Sequence, residues 1–123
     1  MSTIDKDIFL KLKERMKAKF PMLLEIYLRD TEKYLTCIDT NVPDGDVDEV
    51  INAAHSLKSA SGLLGAVDLS QRAGKMEYAA ISCKENNQAN LESLRPDCNA
   101  MRSSFSAIEG DLRAELNNAA PEL

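Results

Sequence analysis

The sequence predicts an all-α fold, an antiparallel four-helix bundle with a short N-terminal cap helix. Apolar residues recur at steps of three and four along most of the chain, the spacing of one face of an α-helix. The composition is 44% hydrophobic but only 5% aromatic and lacks tryptophan, which suits an aliphatic helical core. With 123 residues the chain forms one domain, residues 1–123, long enough to bury a core without disulfides or metal ions.

The first two helices are separated by a proline. The cap helix is predicted over residues 5–19, with an apolar strip of Ile8, Phe9, Leu12 and Met16. It ends at Phe20, because the residue before a proline disfavours the α conformation, and Pro21 then suits the first position of the second helix. That helix should run to about Thr40, and residues 41–45, which are dense in turn formers, are predicted as a loop.

Capping residues mark the third and fourth helices. Asp46, with Glu49 three residues later, resembles a capping box at the start of the third helix. Gly65 suits the left-handed position that ends it. Asp68 and Gln71 are predicted to cap the start of the fourth helix in the way that Asp46 and Glu49 cap the third.

The fourth and fifth helices show regular apolar stripes. In the fourth they are Leu69, Ala73, Met76, Ala80 and Cys83; in the fifth, Leu91, Leu94, Cys98, Met101, Phe105, Ile108, Leu112 and Leu116. The polar residues 84–90 are predicted as the turn between them. Pro96 predicts either a kink or a helix that begins there. Residues 1–4 and 117–123 are expected to fray.

Charge and cysteine content exclude several classes of function. A net charge of -5 argues against nucleic-acid binding, which needs a basic surface. The N-terminus lacks a signal-peptide pattern and no stretch is apolar enough to span a bilayer, so a soluble, cytoplasmic protein without a membrane partner is expected. Cys37, Cys83 and Cys98 are expected to be reduced thiols. A single histidine and unpaired cysteines do not predict a metal site.

The single histidine, His55, lies in a segment of small residues, 53–66. The apolar stripe of this helix is Val47, Val50, Ile51, Ala54, Leu57, Ser61 and Leu64. Because His55 lies outside that stripe, it should face water or a partner. Lys58, Ser59 and Gly62, at three, four and seven positions further on, share its face. A mid-helix glycine costs about 1 kcal/mol relative to alanine, so Gly62 suggests the close approach of another body.

These residues resemble a known signature. The positions that carry the likeness are His55, Leu57, Lys58, Ser61, Gly62, Gly65, Ala66, Leu69, Met76 and Glu77. They are similar to the signature of histidine-containing phosphotransfer (HPt) domains, the relay modules of multistep phosphorelays. The resemblance implies the four-helix fold, with His55 as the phosphoacceptor through Nε2 and Lys58 holding the phosphoryl oxygens. It also implies that a docked receiver domain supplies the aspartate and the Mg²⁺, so the chain needs no cofactor of its own.

The face around His55 is predicted to be the docking surface for receiver domains. It comprises Asn52, Ser56, Ser59 and Gly62, small residues that let a partner close over the ring. Ser59 departs from the family pattern, which usually has glycine there. Glu77 matches a family position, but the sequence gives it only a role in structural pairing or solubility. The expected partners of this monomer are response-regulator receiver domains and a hybrid sensor histidine kinase.

Two other functions compete with the relay hypothesis, and His55 itself has an alternative interpretation. A lone histidine is often an ordinary surface residue. A histidine kinase dimerisation module would need an acidic residue after the histidine and an ATP-binding domain, whereas Ser56 follows His55 and the sequence has no glycine-rich nucleotide loop. A helical adaptor that binds partners without phosphotransfer is the main alternative. The sequence favours a phosphocarrier that is not a kinase: His55 accepts a phosphoryl group from one receiver aspartate and passes it to another.

Overall fold

The computed structural model describes residues 4–87 and 90–119, and within these ranges the fold is all-α, as predicted. The helices are α1 (Lys6–Met16), α2 (Phe20–Asp44), α3 (Val47–Leu64), α4 (Val67–Glu85) and α5 (Arg95–Ala119). Short 3₁₀ turns, Lys17–Lys19 and Glu92–Leu94, precede α2 and α5. None of the described helices is long and apolar enough to cross a membrane.

Helices α2 to α5 form the four-helix bundle. Helix α3 packs against α2 and α4, and α5 packs against the same two neighbours from the other side. This arrangement places α3 diagonally opposite α5. Helix α1 lies across one end, against α2 and α3, as a cap.

The core is aliphatic and built from the predicted stripes. From α3 it takes Val50, Ala54, Leu57 and Leu64; from α4, Leu69, Ala73, Met76, Ala80 and Cys83; from α5, Cys98, Met101, Phe105, Ile108 and Leu112. Ser61, which lies in the α3 stripe, is fully buried and hydrogen-bonds the Tyr27 hydroxyl at 2.7 Å. Each large buried side chain contributes about 1.5–3 kcal/mol. Together they fix the outward face of α3.

The ends of α3 are those that the sequence predicts. The Asp46 side chain accepts a hydrogen bond from the Glu49 backbone N–H, and Gly65 ends the helix in the left-handed conformation with φ 92°. A β-carbon on Gly65 would lie 2.8 Å from the carbonyl oxygen of Asp5, so glycine is needed for its conformation and for close packing. The Asp5 N–H also donates to the Gly65 carbonyl at 2.7 Å.

The predicted loop over residues 41–45 is wrong, because α2 continues to Asp44 and only Gly45 leaves the helix, with φ 74°. Val42 is 1% exposed, so burying its side chain in the core outweighs the local turn propensity. Pro43 lies in the last turn of α2, and the helix tolerates it there.

The predicted cap of α4 by Asp68 and Gln71 is also wrong. Ala66 occupies the N-cap position without a side-chain hydrogen bond, and α4 begins at Val67. The Asp68 carboxylate instead accepts from the Ser104 hydroxyl at 2.6 Å and from Arg72 at 2.9 Å. These contacts, that of Ser104 first, lower the pKa of Asp68. Asp68 therefore joins α4 to α5.

The remaining boundaries differ in detail from the predictions. Residues 17–19 form a 3₁₀ turn instead of extending α1, and α4 includes residues 84 and 85 of the predicted turn. Helix α5 begins at Arg95, so Pro96 lies in its first turn and does not kink it. Residues 117–119 continue α5, and Ile4 forms an antiparallel bridge with Ala66, while the fraying of both ends stays a prediction. Residues 1–3, 88–89 and 120–123 lie outside the described residues.

Candidate functional site

His55 projects from the exposed face of α3, midway along the helix. Its side chain is 60% exposed, so the prediction that it faces outward is confirmed. The adjacent Ala54 and Leu57 are fully buried and fix the rotation of the helix about its axis. The ring is thus presented on a rigid helix.

A carboxylate on α4 holds one edge of the His55 ring. The Nδ1 atom lies 2.8 Å from Oε2 of Glu77, whose side chain is only 15% exposed. An ionised carboxylate can only accept a hydrogen bond, so Nδ1 donates. In the neutral ring, Nε2 then keeps its lone pair and points away from Glu77. The geometry makes Nε2 the available nucleophilic atom.

Lys58 reaches the same carboxylate from one turn further along α3. Its Nζ donates to Oε1 of Glu77 at 2.8 Å, so the two oxygens of one carboxylate bind the two side chains. The hydrogen bond from Lys58 is the main cause that lowers the pKa of the Glu77 carboxyl. Partial burial raises this pKa, and the hydrogen bond from His55 lowers it. The structure thus brings together His55 and Lys58 through Glu77.

Glu77 belongs to the signature, but the sequence does not predict that it bonds both His55 and Lys58. A usable signal was the hairpin of α3 and α4, whose turn lies at Gly65 and Ala66. In an antiparallel hairpin, residues equally far from the turn face each other. His55 and Glu77 each lie eleven residues from Ala66, on opposite sides of it. Lys84, which bonds Asp48 at 2.7 Å, obeys the same register.

The predicted docking residues occupy the outer surface of α3, although one of them is less open than expected. Asn52, Ser59 and Gly62 are exposed, and Ser56 is half-buried. A β-carbon on Gly62 would lie 3.3 Å from Oγ of Ser70. The body that approaches Gly62 is therefore α4 of the same chain, in addition to any partner.

An apolar depression adjoins this face on the side of α2. It encloses about 100 Å³ and is lined mainly by Leu23, Ile26, Tyr34, Ala60 and Leu63. Leu63 is 52% exposed and Ile26 37% exposed. The polar surface around His55 thus adjoins an exposed apolar surface.

The described residues contain no group of three or more histidine, cysteine or acidic side chains that could hold a metal ion. Cys83 and Cys98 are buried as free thiols, and Cys37 is partly buried. Burial raises the pKa of Cys98 to about 11, so its thiol is protonated at neutral pH.

Comparisons with known proteins agree with the fold. Residues 22–120 match the family model described as the Hpt domain. The crystal structure of histidine-containing phosphotransfer protein B (HptB) from Pseudomonas aeruginosa PAO1 superposes with a TM-score of 0.83 at 23% sequence identity. The alignment covers 94% of this chain and 95% of that chain, which shows the same fold. No curated protein matches the sequence significantly.

Proposed function

The chain belongs to the Hpt domain family of phosphorelay phosphotransfer proteins, and we propose that His55 is the residue that carries the phosphoryl group. It accepts the group from the aspartate of one receiver domain and passes it to the aspartate of another. The observation that carries the proposal is the hydrogen bond of Nδ1 to Glu77, which in the neutral ring leaves the Nε2 lone pair free on a side chain that is 60% exposed.

The transfer needs positioning and charge compensation more than acid–base chemistry. The Nε2 lone pair forms a bond to phosphorus while the P–O bond of the aspartyl phosphate breaks, and the electron pair leaves with the aspartate carboxylate. The ring becomes positively charged as the N–P bond forms. Glu77, ionised and bonded to Nδ1–H, stabilises that charge. In this proposal the receiver contributes the Mg²⁺, and the chain binds no cofactor of its own.

Lys58 is proposed to bind the phosphoryl oxygens. In the unphosphorylated chain its ammonium group bonds Glu77, and its side chain is 40% exposed. A dianionic phosphoryl group on Nε2 competes with that carboxylate for the cation, and charge-assisted bonds to phosphate are strong.

We place the docking surface for receiver domains on Asn52, Ser56, Ser59 and Gly62 and extend it to the exposed Leu63 and Ile26. An interface with a polar rim and an apolar anchor is typical of specific complexes. Ser59→Glu adds negative charge beside His55 and should weaken docking to an acidic receiver site. Ser106→Glu makes the same change on exposed α5, diagonally opposite, and serves as the matched control. Equal receiver affinities of the two variants would contradict this placement. Gly62→Gln is a poorer probe, because its side chain would also press on Ser70.

The chain is further proposed to act as a monomeric phosphocarrier in the cytoplasm, without binding ATP, nucleic acid or membranes. Its partners in this role are response-regulator receivers and a hybrid sensor histidine kinase. The family supports the role of carrier, and the net charge of -5 supports the absence of nucleic-acid binding.

The decisive experiment follows the phosphoryl group. The full chain is incubated with a phosphorylated receiver domain of a hybrid sensor kinase, alongside His55→Gln. An acid-labile label that requires His55 supports the proposal. If the chain binds receivers but never takes up label, it is an adaptor. Labelling from ATP alone would indicate a kinase.

A further inference from the structure

We propose that Gly74 is a positioning residue for the transfer site: its missing side chain leaves the path along which Lys58 crosses α4 to reach Glu77. The inference rests on the proposed function of His55 and Lys58. It adds a residue that touches neither the phosphoryl group nor the His55 ring.

The space at Gly74 is occupied by the aliphatic stem of Lys58. A β-carbon built on Gly74 would lie 3.1 Å from Cδ and 3.9 Å from Cγ of that lysine. The shorter distance is tighter than ordinary van der Waals contact, so a β-carbon here would require the stem to shift by a few tenths of an ångström. Gly74 lies inside α4 with no left-handed conformation, where glycine weakens a helix relative to alanine. The space that the Lys58 side chain needs explains why a glycine stands at this position.

Three residues of α4 form a track for Lys58. The Ser70 hydroxyl donates to the Lys58 backbone carbonyl at 2.9 Å, Gly74 lies beneath its stem, and Glu77 accepts from its Nζ at 2.8 Å. Residues 70, 74 and 77 are spaced by four and three, so they share one face of the helix. Lys58 is therefore in contact with α4 from its backbone carbonyl to its Nζ atom.

The track has a consequence for the reaction. A side chain at position 74 pushes the stem of Lys58 outward and lengthens the bond from Nζ to Glu77. The ammonium group is then no longer beside the carboxylate that holds the ring of His55. Lys58 also loses its fixed starting position for binding the phosphoryl oxygens, and a freely moving cation stabilises them less.

The test compares Gly74→Ala and Gly74→Leu with Gly110→Ala. Gly110 lies in α5 with no atom within 4 Å of its built β-carbon, so its variant reports helix propensity alone. Transfer from a phosphorylated receiver should slow about twofold for Gly74→Ala and about tenfold for Gly74→Leu, and stay unchanged for Gly110→Ala. Neither alanine variant should lower the melting temperature.

Two further readouts separate positioning from a structural effect. NMR titration of the Glu77 carboxyl should give a higher pKa in both Gly74 variants, because the bond from Lys58 is the main cause of its lowering. In a Lys58→Ala background, Gly74→Ala should cause no further slowing. An unchanged transfer rate and Glu77 titration in Gly74→Ala, or equal slowing without Lys58, would overturn the inference. Absence of label in the unaltered chain would instead refute the proposed function.

Discussion

Removing the Glu77 carboxylate tests how far the ring of His55 depends on being held. Glu77→Ala deletes two charge-assisted hydrogen bonds, each 2.8 Å long. Such bonds contribute about 1.5–3 kcal/mol when buried, but His55 is 60% and Lys58 40% exposed, so solvent screening reduces them. About 1 kcal/mol for the bond to the ring corresponds to roughly fivefold slower transfer. Glu77→Gln keeps the shape and one acceptor and should slow transfer by about twofold.

The assay follows label from a phosphorylated receiver to the chain under single-turnover conditions. Glu85→Ala, at the exposed end of α4, is the matched control. Nitrogen NMR of His55 gives an independent readout: the proton sits on Nδ1 in the unaltered chain and shifts towards Nε2 in Glu77→Ala. A wild-type transfer rate in Glu77→Ala, or an unchanged tautomer, would refute the reasoning that Glu77 selects the nucleophilic nitrogen.

The other predictions concern charge, backbone and pH. Lys58→Ala should slow transfer about tenfold, or shorten the phosphohistidine lifetime, without abolishing the label; full activity would contradict its role. Gly65→Ala should cost about 2–4 kcal/mol in urea unfolding, since φ is 92° and the β-carbon would meet the Asp5 carbonyl oxygen at 2.8 Å, while Gly110→Ala should gain up to about 1 kcal/mol. Folding lowers the pKa of Glu77 from its ordinary 4.5, so its contribution to stability is present above that pH and is lost as the pH falls through the lower folded value. The unfolding free energy of Glu77→Gln should therefore fall less on acidification, and identical slopes would argue against this contribution.

The sequence predicts best those features that are decided locally. Asp46 caps α3 through a bond that spans three residues, and Gly65 ends it through its own φ, so both are readable from a short window. The stripes of α4 and α5 are equally local, because helical spacing alone decides which residues share a face. For the same reason the outward direction of His55 was predictable.

The errors arise where a distant contact decides. Residues 41–45 stay helical because Val42 is buried against the rest of the bundle, and Asp68 binds Ser104, which lies 36 positions further along the chain. The cluster of His55, Lys58 and Glu77 is of the same kind, since it exists only in the register that the hairpin sets between α3 and α4. The spacing within one helix contains no information about that register, which depends on the position of the turn at Gly65 and Ala66.

The contact between Asp5 and Gly65 joins the N-terminal segment to the corner between α3 and α4. The family match begins at residue 22, so α1 and Ile4, which forms a bridge with Ala66, precede it. These residues support the corner about which α3 and α4 are aligned. If these contacts were weakened, the corner would open and close more often. Each opening would disturb the side-chain contacts between α3 and α4. The N-terminal segment thus supports the register in which His55 on α3 faces Glu77 on α4.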